Sequence, residues 1–325
     1  MKINSLKQRT LILWLVLAGG FVFFLTGCHS TWRFEECETI NRSFTVSPGG
    51  ELMMDVRNGR IRIETGKTDK VEVTVVRSVR ADAKDEIKDI LEEHRIEMKQ
   101  TGNRVSIASD YERGGIFIGW RGSDRVSDDF TIRIPDKFEL DLKTSGGSIT
   151  VGNLEGNVKL KTSGGSIQLG EINGRVLAKT SGGSITLSGC NRDADLKTSG
   201  GRIEIGKVSG DVVAHTSGGS ITIENTTGEV DATTSGGSIT ASISSQPHGD
   251  CTLKTSGGSI NVSISGNLNF DLDAKTSGGR VHSDFQVSGS YDEDDSRSKM
   301  SGKINGGGPT LLLRTSGGGI HINRI

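Results

Sequence analysis

The residues best placed to do chemistry form a column of cations. Nine copies of Thr-Ser-Gly-Gly begin at Thr144, Thr162, Thr180, Thr198, Thr216, Thr234, Thr255, Thr276 and Thr315. The residues just before them read Lys143, Lys161, Lys179, Lys197, His215, Thr233, Lys254, Lys275 and Arg314. If each copy is one turn of a coil, these side chains stack at strand spacing on one face. Lys143, Lys161, Lys179, Lys197, Lys254, Lys275 and Arg314 then make a strip suited to an anionic polymer. Acidic glycan, lipopolysaccharide phosphate and teichoic acid are of that class. Two positions earlier stand Asp141, Lys159, Asp195, Asp231 and Asp273, which partly neutralise the strip. The plainer reading of the same lysines is a solvated face that discourages pairing between sheet edges.

Other chemistry is sparse. Tyr291-Asp292-Glu293-Asp294-Asp295 gathers carboxylates of the kind that hold Ca²⁺. Its spacing is not that of an EF-hand, and a solvated surface loop is the plainer reading. There is no Gly-x-Ser-x-Gly elbow, His-Glu-x-x-His, Cys-x-x-Cys or phosphate-binding Gly-Lys-Ser/Thr loop. The six histidines are scattered. No catalytic residue, metal ligand or cofactor is therefore assigned, and the chain is expected not to be an enzyme. A formal net charge of −1 gives no global field toward nucleic acid, and 5% aromatics leave few stacking platforms for bases or sugars.

The element that must position the column is the repeat. The first six copies start 18 residues apart, the next two steps are 21, and the last is 39. Within Thr144 to Lys161 the apolar positions are Ile149, Val151, Leu154, Val158 and Leu160; the next copy has Ile167, Leu169, Ile172, Val176 and Ala178. Each unit thus reads as a short strand, a corner and a second short strand, which is the signature of a stacked solenoid. The expected fold is all-β, a single-stranded β-helix of 18–21-residue rungs with one short helix near its N-terminal cap. The paired glycines are expected to turn a tight corner with positive φ, and the threonines to stack with hydroxyls bonding along the axis. Cys190 and Cys251 fall at inward positions on different rungs, too far apart for a disulfide. With Cys37 they make an odd number, which leaves at least one free thiol.

Toward the N-terminus, Lys2, Lys7 and Arg9 precede an apolar run from Leu11 to Leu25, the layout of an export signal. Leu25-Thr26-Gly27-Cys28 resembles the bacterial lipobox, which implies cleavage after residue 27 and lipidation of Cys28. His29 is not the aspartate associated with inner-membrane retention, which favours the outer membrane or cell surface. Residues 28–42 read as a polar tether, 43–142 as a β cap with a helix at about 82–95, and 143–325 as the repeat solenoid. Asn58-Gly59-Arg60-Ile61-Arg62-Ile63 looks like a degenerate repeat, so the coil begins near residue 50. His94 lies on the apolar stripe of the helix and reads as a packed or half-exposed histidine rather than a ligand.

The repeats, the cap strands ending in Ile134-Pro135, and the closing Gly302-Lys303-Ile304-Asn305-Gly306-Gly307-Gly308 resemble a bacterial family. It comprises β-strand-repeat domains of unknown function grouped with adhesins, and the resemblance spans roughly residues 40 to 325. It implies a right-handed solenoid on the cell envelope or surface, with no established catalytic residues to carry over. The expected function is a non-enzymatic, lipid-anchored envelope protein. It would serve as an adhesin or binding scaffold, with the membrane and an envelope or extracellular glycan or protein as partners. The alternative is a polysaccharide lyase or hydrolase built on the same coil. An ice-binding threonine lattice is excluded, because the outward column Thr150, Gln168, Thr186, Glu204, Thr222, Thr240 and Asn261 is irregular.

Overall fold

The computed structural model describes residues 34–111, 125–289 and 298–325. The export signal 1–27, Cys28 and the acidic loop around 292–295 lie outside the described residues. Among the described residues no helix is long and apolar enough to cross a membrane.

Among the described residues, two long sheets of 14 strands each face each other, and the main hydrophobic core runs between them from Val46 to Ile322. Each repeat supplies one strand to each sheet. Residues after Thr-Ser-Gly-Gly, such as Ile149–Val151 and Ile167–Asn173, form sheet I; residues leading into the next copy, such as Val158–Lys161 and Val176–Lys179, form sheet II. Neighbouring strands are parallel and offset by one 18-residue unit, so identical positions stack: Ile149 on Ile167 on Ile185 on Ile203. Alternation then sends one set of side chains inward and the other to solvent. The isoleucine column and the Leu160, Ala178, Leu196 and Ala214 column of sheet II are all 1% exposed or less. Neither strand could bury its apolar face alone; stacking makes the core.

The corners correct one expectation. None of the paired glycines of the repeat adopts a left-handed backbone. They serve close approach instead. A Cβ on Gly165, Gly183, Gly201 or Gly219 would stand 2.1–2.2 Å from the carbonyl oxygen of the equivalent glycine one rung below. The threonine ladder does run along the axis, but through the backbone. Eight of the nine hydroxyls donate to the second-glycine carbonyl of the adjacent rung, as in Thr162 Oγ1 to Gly147 O at 2.8 Å and Thr198 Oγ1 to Gly183 O at 2.7 Å, and Thr144 turns to Gly59 O instead. All nine threonines are buried. A hydroxyl that satisfies a buried carbonyl is what lets a polar residue sit inside.

Chain order and spatial order part company at both ends. In sheet I the last strand, Ile320–Arg324, lies between Ile260–Ile264 and Val281–Ser283; in sheet II, Thr310–Arg314 lies between Cys251–Lys254 and Phe270–Lys275. The final rung is therefore slotted in beneath the rung of Thr276, and the 39-residue step is a return path rather than an extra coil. At the other end, Gly50–Val56 and Ile61–Gly66, joined through the Asn58-Gly59 corner, sit between two later rungs in the same way.

The cap holds a second correction. Phe34–Asn41, read as tether, forms most of the strand Phe34–Thr45, which pairs antiparallel with Lys70–Ala81 along its whole length. Its polar residues face solvent on an edge, so no apolar alternation marked it. The helix α1 spans Lys84–Glu93 and rests Ile87, Ile90 and Leu91 against Val79, Ala81 and Val126. It connects the Lys70–Ala81 strand of sheet I to His94–Thr101 of sheet II.

Candidate functional site

Sheet II presents the cation column because its strands alternate: in Val158–Lys161 the first and third residues are buried, the second and fourth exposed. In space the column reads Asp55, Lys143, Lys161, Lys179, Lys197, His215, Thr233, Lys254, Arg314, Lys275 and Lys299. All seven residues of the expected strip are on one face, with Arg314 ahead of Lys275 because the final rung is slotted in. Sequence reading missed both extensions, Asp55 and Lys299, since neither precedes a Thr-Ser-Gly-Gly.

The neighbouring column neutralises part of the strip. Lys197 Nζ is 3.0 Å from Asp195 Oδ1, and His215 Nε2 is 3.3 Å from Asp231 Oδ1. Arg314 is fixed to the Asp273 carboxylate and, at 2.7 Å, to the Asp273 carbonyl. Asp141 is taken by Lys159 at 2.9 Å, within its own column. Among the described residues, Lys143, Lys161, Lys179, Lys254 and Lys275 make no ion pair. Adjacent lysines one strand spacing apart repel by about 1 kcal/mol in water. That repulsion is relieved by a bound polyanion, so the bare column favours one.

Where the column carries His215 and Thr233 in place of lysine, the surface sinks. A depression of about 540 Å³ lies there, bounded by Lys197 and Lys254 and lined by His215, Asp231, Thr233 and the Ser217 and Ser235 hydroxyls. Its two lysines are three rungs apart, roughly 14 Å. Hydroxyls, a carboxylate–imidazole pair and flanking cations offer both donors and acceptors to a sugar unit of an acidic polymer. The signal for it was in the sequence, as the two smaller residues that break the lysine run.

His94 is packed, as expected of it, but into a charge cluster that sequence reading did not find. It is 3% exposed, and its Nε2 stands 2.5 Å from Asp128 Oδ2. Asp128 also accepts from Arg77 Nε at 2.9 Å, and both are buried. Cys190 and Cys251 are inward and free, but on opposite sheets. Burial pushes both thiols up to about 11, so neither is a nucleophile near neutral pH. Among the described residues, no group of three or more His, Cys, Asp or Glu side chains could hold a metal ion.

Solved structures similar to the chain include a "putative adhesin" from Bacteroides fragilis, 15% identical, covering 88% of this chain and 97% of that one with a TM-score of 0.34. A "putative adhesin" from Parabacteroides merdae is 12% identical, covering 88% and 96% with a TM-score of 0.31. A "putative lipid binding protein" from Parabacteroides distasonis is 13% identical, covering 88% and 96% with a TM-score of 0.27. No curated protein matches the sequence. The two stacked sheets, their in-register repeat and the match of the family model to residues 50–323 place the chain in the Toastrack DUF4097 family.

Proposed function

We propose that this chain is a non-enzymatic, lipid-anchored scaffold of the bacterial envelope whose sheet II binds an anionic polymer, glycan above all. The observation that carries the reading is the in-register cation column, with five lysines lacking an ion pair beside a polar depression. The envelope location rests on the export signal and the Cys28 lipobox, with the outer membrane or cell surface favoured over the inner membrane. Lipidation at Cys28 makes the membrane the first partner and leaves the solenoid free to engage a second. Right-handed winding belongs to the same reading, since crossovers between parallel strands take that hand almost always.

Replacing Lys161, Lys179 and Lys197 together with glutamine is expected to abolish retention on an acidic-glycan column at physiological salt while leaving the circular dichroism spectrum unchanged. Unchanged retention ends the proposal. The His215–Asp231 pair in the depression keeps an enzymatic alternative open for test. Depolymerisation of an acidic polysaccharide by the wild-type chain, lost in His215→Ala, would replace binding with lyase or hydrolase chemistry.

A further inference from the structure

The rod ends in a step at its cap. Beyond Ile61–Gly66, sheet I adds Val126–Pro135, Lys70–Ala81 and Phe34–Thr45; beyond Gly50–Val56 of the same rung, sheet II adds Arg104–Tyr111 and His94–Thr101. Sheet I therefore overhangs sheet II by one strand. Among the described residues, Phe34–Thr45 and His94–Thr101 each pair on one side only, which leaves edges of 12 and 8 residues. The other end of the rod is different. Its edge strands, Val281–Ser283 and Val287–Ser288, have three and two residues, and edges that short resist pairing.

The overhang shows in the burial. Ile40 and Phe44 pair with Val75 and Val71, both 0% exposed, and so face the core layer, yet they are only partly buried themselves. Ile96 and Met98, on the edge of sheet II, are partly buried against the same core. The step is held in shape at both of its ends. Helix α1 rests on Val79, Ala81 and Val126, toward the Phe34 end, and Gln100 Nε2 donates to the Thr45 carbonyl at 2.7 Å.

Strand direction fixes how a second copy fits. Phe34–Thr45 is antiparallel to Lys70–Ala81, which is antiparallel to Val126–Pro135, itself parallel to Ile61–Gly66. His94–Thr101 is antiparallel to Arg104–Tyr111, itself parallel to Gly50–Val56, which runs opposite to Ile61–Gly66 across the Asn58-Gly59 corner. The two edge strands thus run the same way. A two-fold axis parallel to them keeps that direction and exchanges the sheet levels, so the overhang of each copy fits the step of the other. Charge agrees. Phe34–Thr45 carries Glu35, Glu36 and Glu38 against Arg42, whereas His94–Thr101 carries Arg95 and Lys99 against Glu97. Pairing Phe34–Thr45 with its own copy would instead set acidic strand on acidic strand and leave both steps unfilled.

We propose that two copies of this chain join at their caps as a two-fold dimer, the Phe34–Thr45 strand of each pairing parallel with His94–Thr101 of the other. Ile40, Phe44, Ile96 and Met98 of both copies then complete a core that continues through the joint. The contact is isologous and uses both edges, so association stops at two. Because the axis exchanges the sheets, the two cation columns face opposite sides of the joined rod.

Sedimentation equilibrium of the full chain in detergent tests the joint, with circular dichroism as the check on folding. A dimer is expected. Ile40→Lys and Met98→Lys each put a charge on the core side of an edge strand, a device that blocks edge pairing, and each should raise the dissociation constant about tenfold or more. Lys99→Glu, on the exposed face of its strand, should raise it roughly threefold, and it decides the matter if a core-side variant fails to fold. His282→Lys, at the opposite end of the rod, should leave the dimer unchanged. A monomeric wild-type chain overturns the joint. So does a dimer indifferent to Met98→Lys and Lys99→Glu, or one dissolved by His282→Lys. The anionic-polymer reading is untouched by any of these results, since retention on acidic glycan needs no second copy.

Discussion

The second glycine of each repeat leaves room for the carbonyl of the rung below, and the threonine three residues earlier donates its hydroxyl to that same carbonyl, as Gly165 and Thr162 do with Gly147 O. These two requirements make opposite predictions for neighbouring glycines. A Cβ on Gly165 would sit 2.1 Å from Gly147 O, inside any permitted contact, whereas one on Gly164 would meet Gly146 O at 3.3 Å. Gly165→Ala is expected to destabilise by about 1–3 kcal/mol through overpacking. Gly164→Ala should change stability by less than about 1 kcal/mol; urea unfolding of both variants checks the difference. The motif itself was plain in the sequence. What it does to the backbone was not, because glycine permits both a left-handed turn and a close approach, and spacing does not choose between them. The cation column was legible for a simple reason. A constant 18-residue period fixes which side chains share a face.

Elements outside the repeat were read with less success, for a physical reason in each case. Strand Phe34–Thr45 is an edge strand none of whose residues is fully buried, so no clear buried–exposed alternation marks it. Helix α1 was visible through Ile87, Ile90 and Leu91, because burial of one stripe imposes its own period. Asp128, the partner of His94, lies 34 residues away along the chain, and Arg77, which also binds Asp128, lies 51 residues from it; only pairing of strands brings them together. This cluster joins the helix end to the Lys70–Ala81 and Val126–Pro135 strands. Removing its shared carboxylate leaves the buried Arg77 guanidinium with only the more distant Glu38, 4.0 Å away, and Asp128→Ala should cost about 3 kcal/mol. Thermal unfolding followed by circular dichroism measures that loss, and an unchanged midpoint would show that the cluster is not holding the cap.

For the whole molecule, both rod ends are closed by rungs slotted out of chain order. Deleting residues 310–325 removes a rung with a neighbour on each side, so two interfaces go, and the rung of Thr276 loses its support. That truncation is expected to lower the melting temperature far more than deleting residues 162–179, an internal unit whose loss rejoins Lys161 to Thr180 in the same register. Calorimetry of the two deletions decides it; equal effects would mean that the end rungs are independent. None of this order was legible, because spacing records how far apart two repeats are along the chain and not which one stacks on which. A slotted end has one more consequence. Because the closures at both ends are built from terminal segments, central units can be lost or gained without rebuilding either end. Each 18-residue unit changes the length of the rod by about 4.8 Å. Length is then a freely adjustable quantity, and a lineage could set the reach of the rod by copying whole units, leaving the closures as they are.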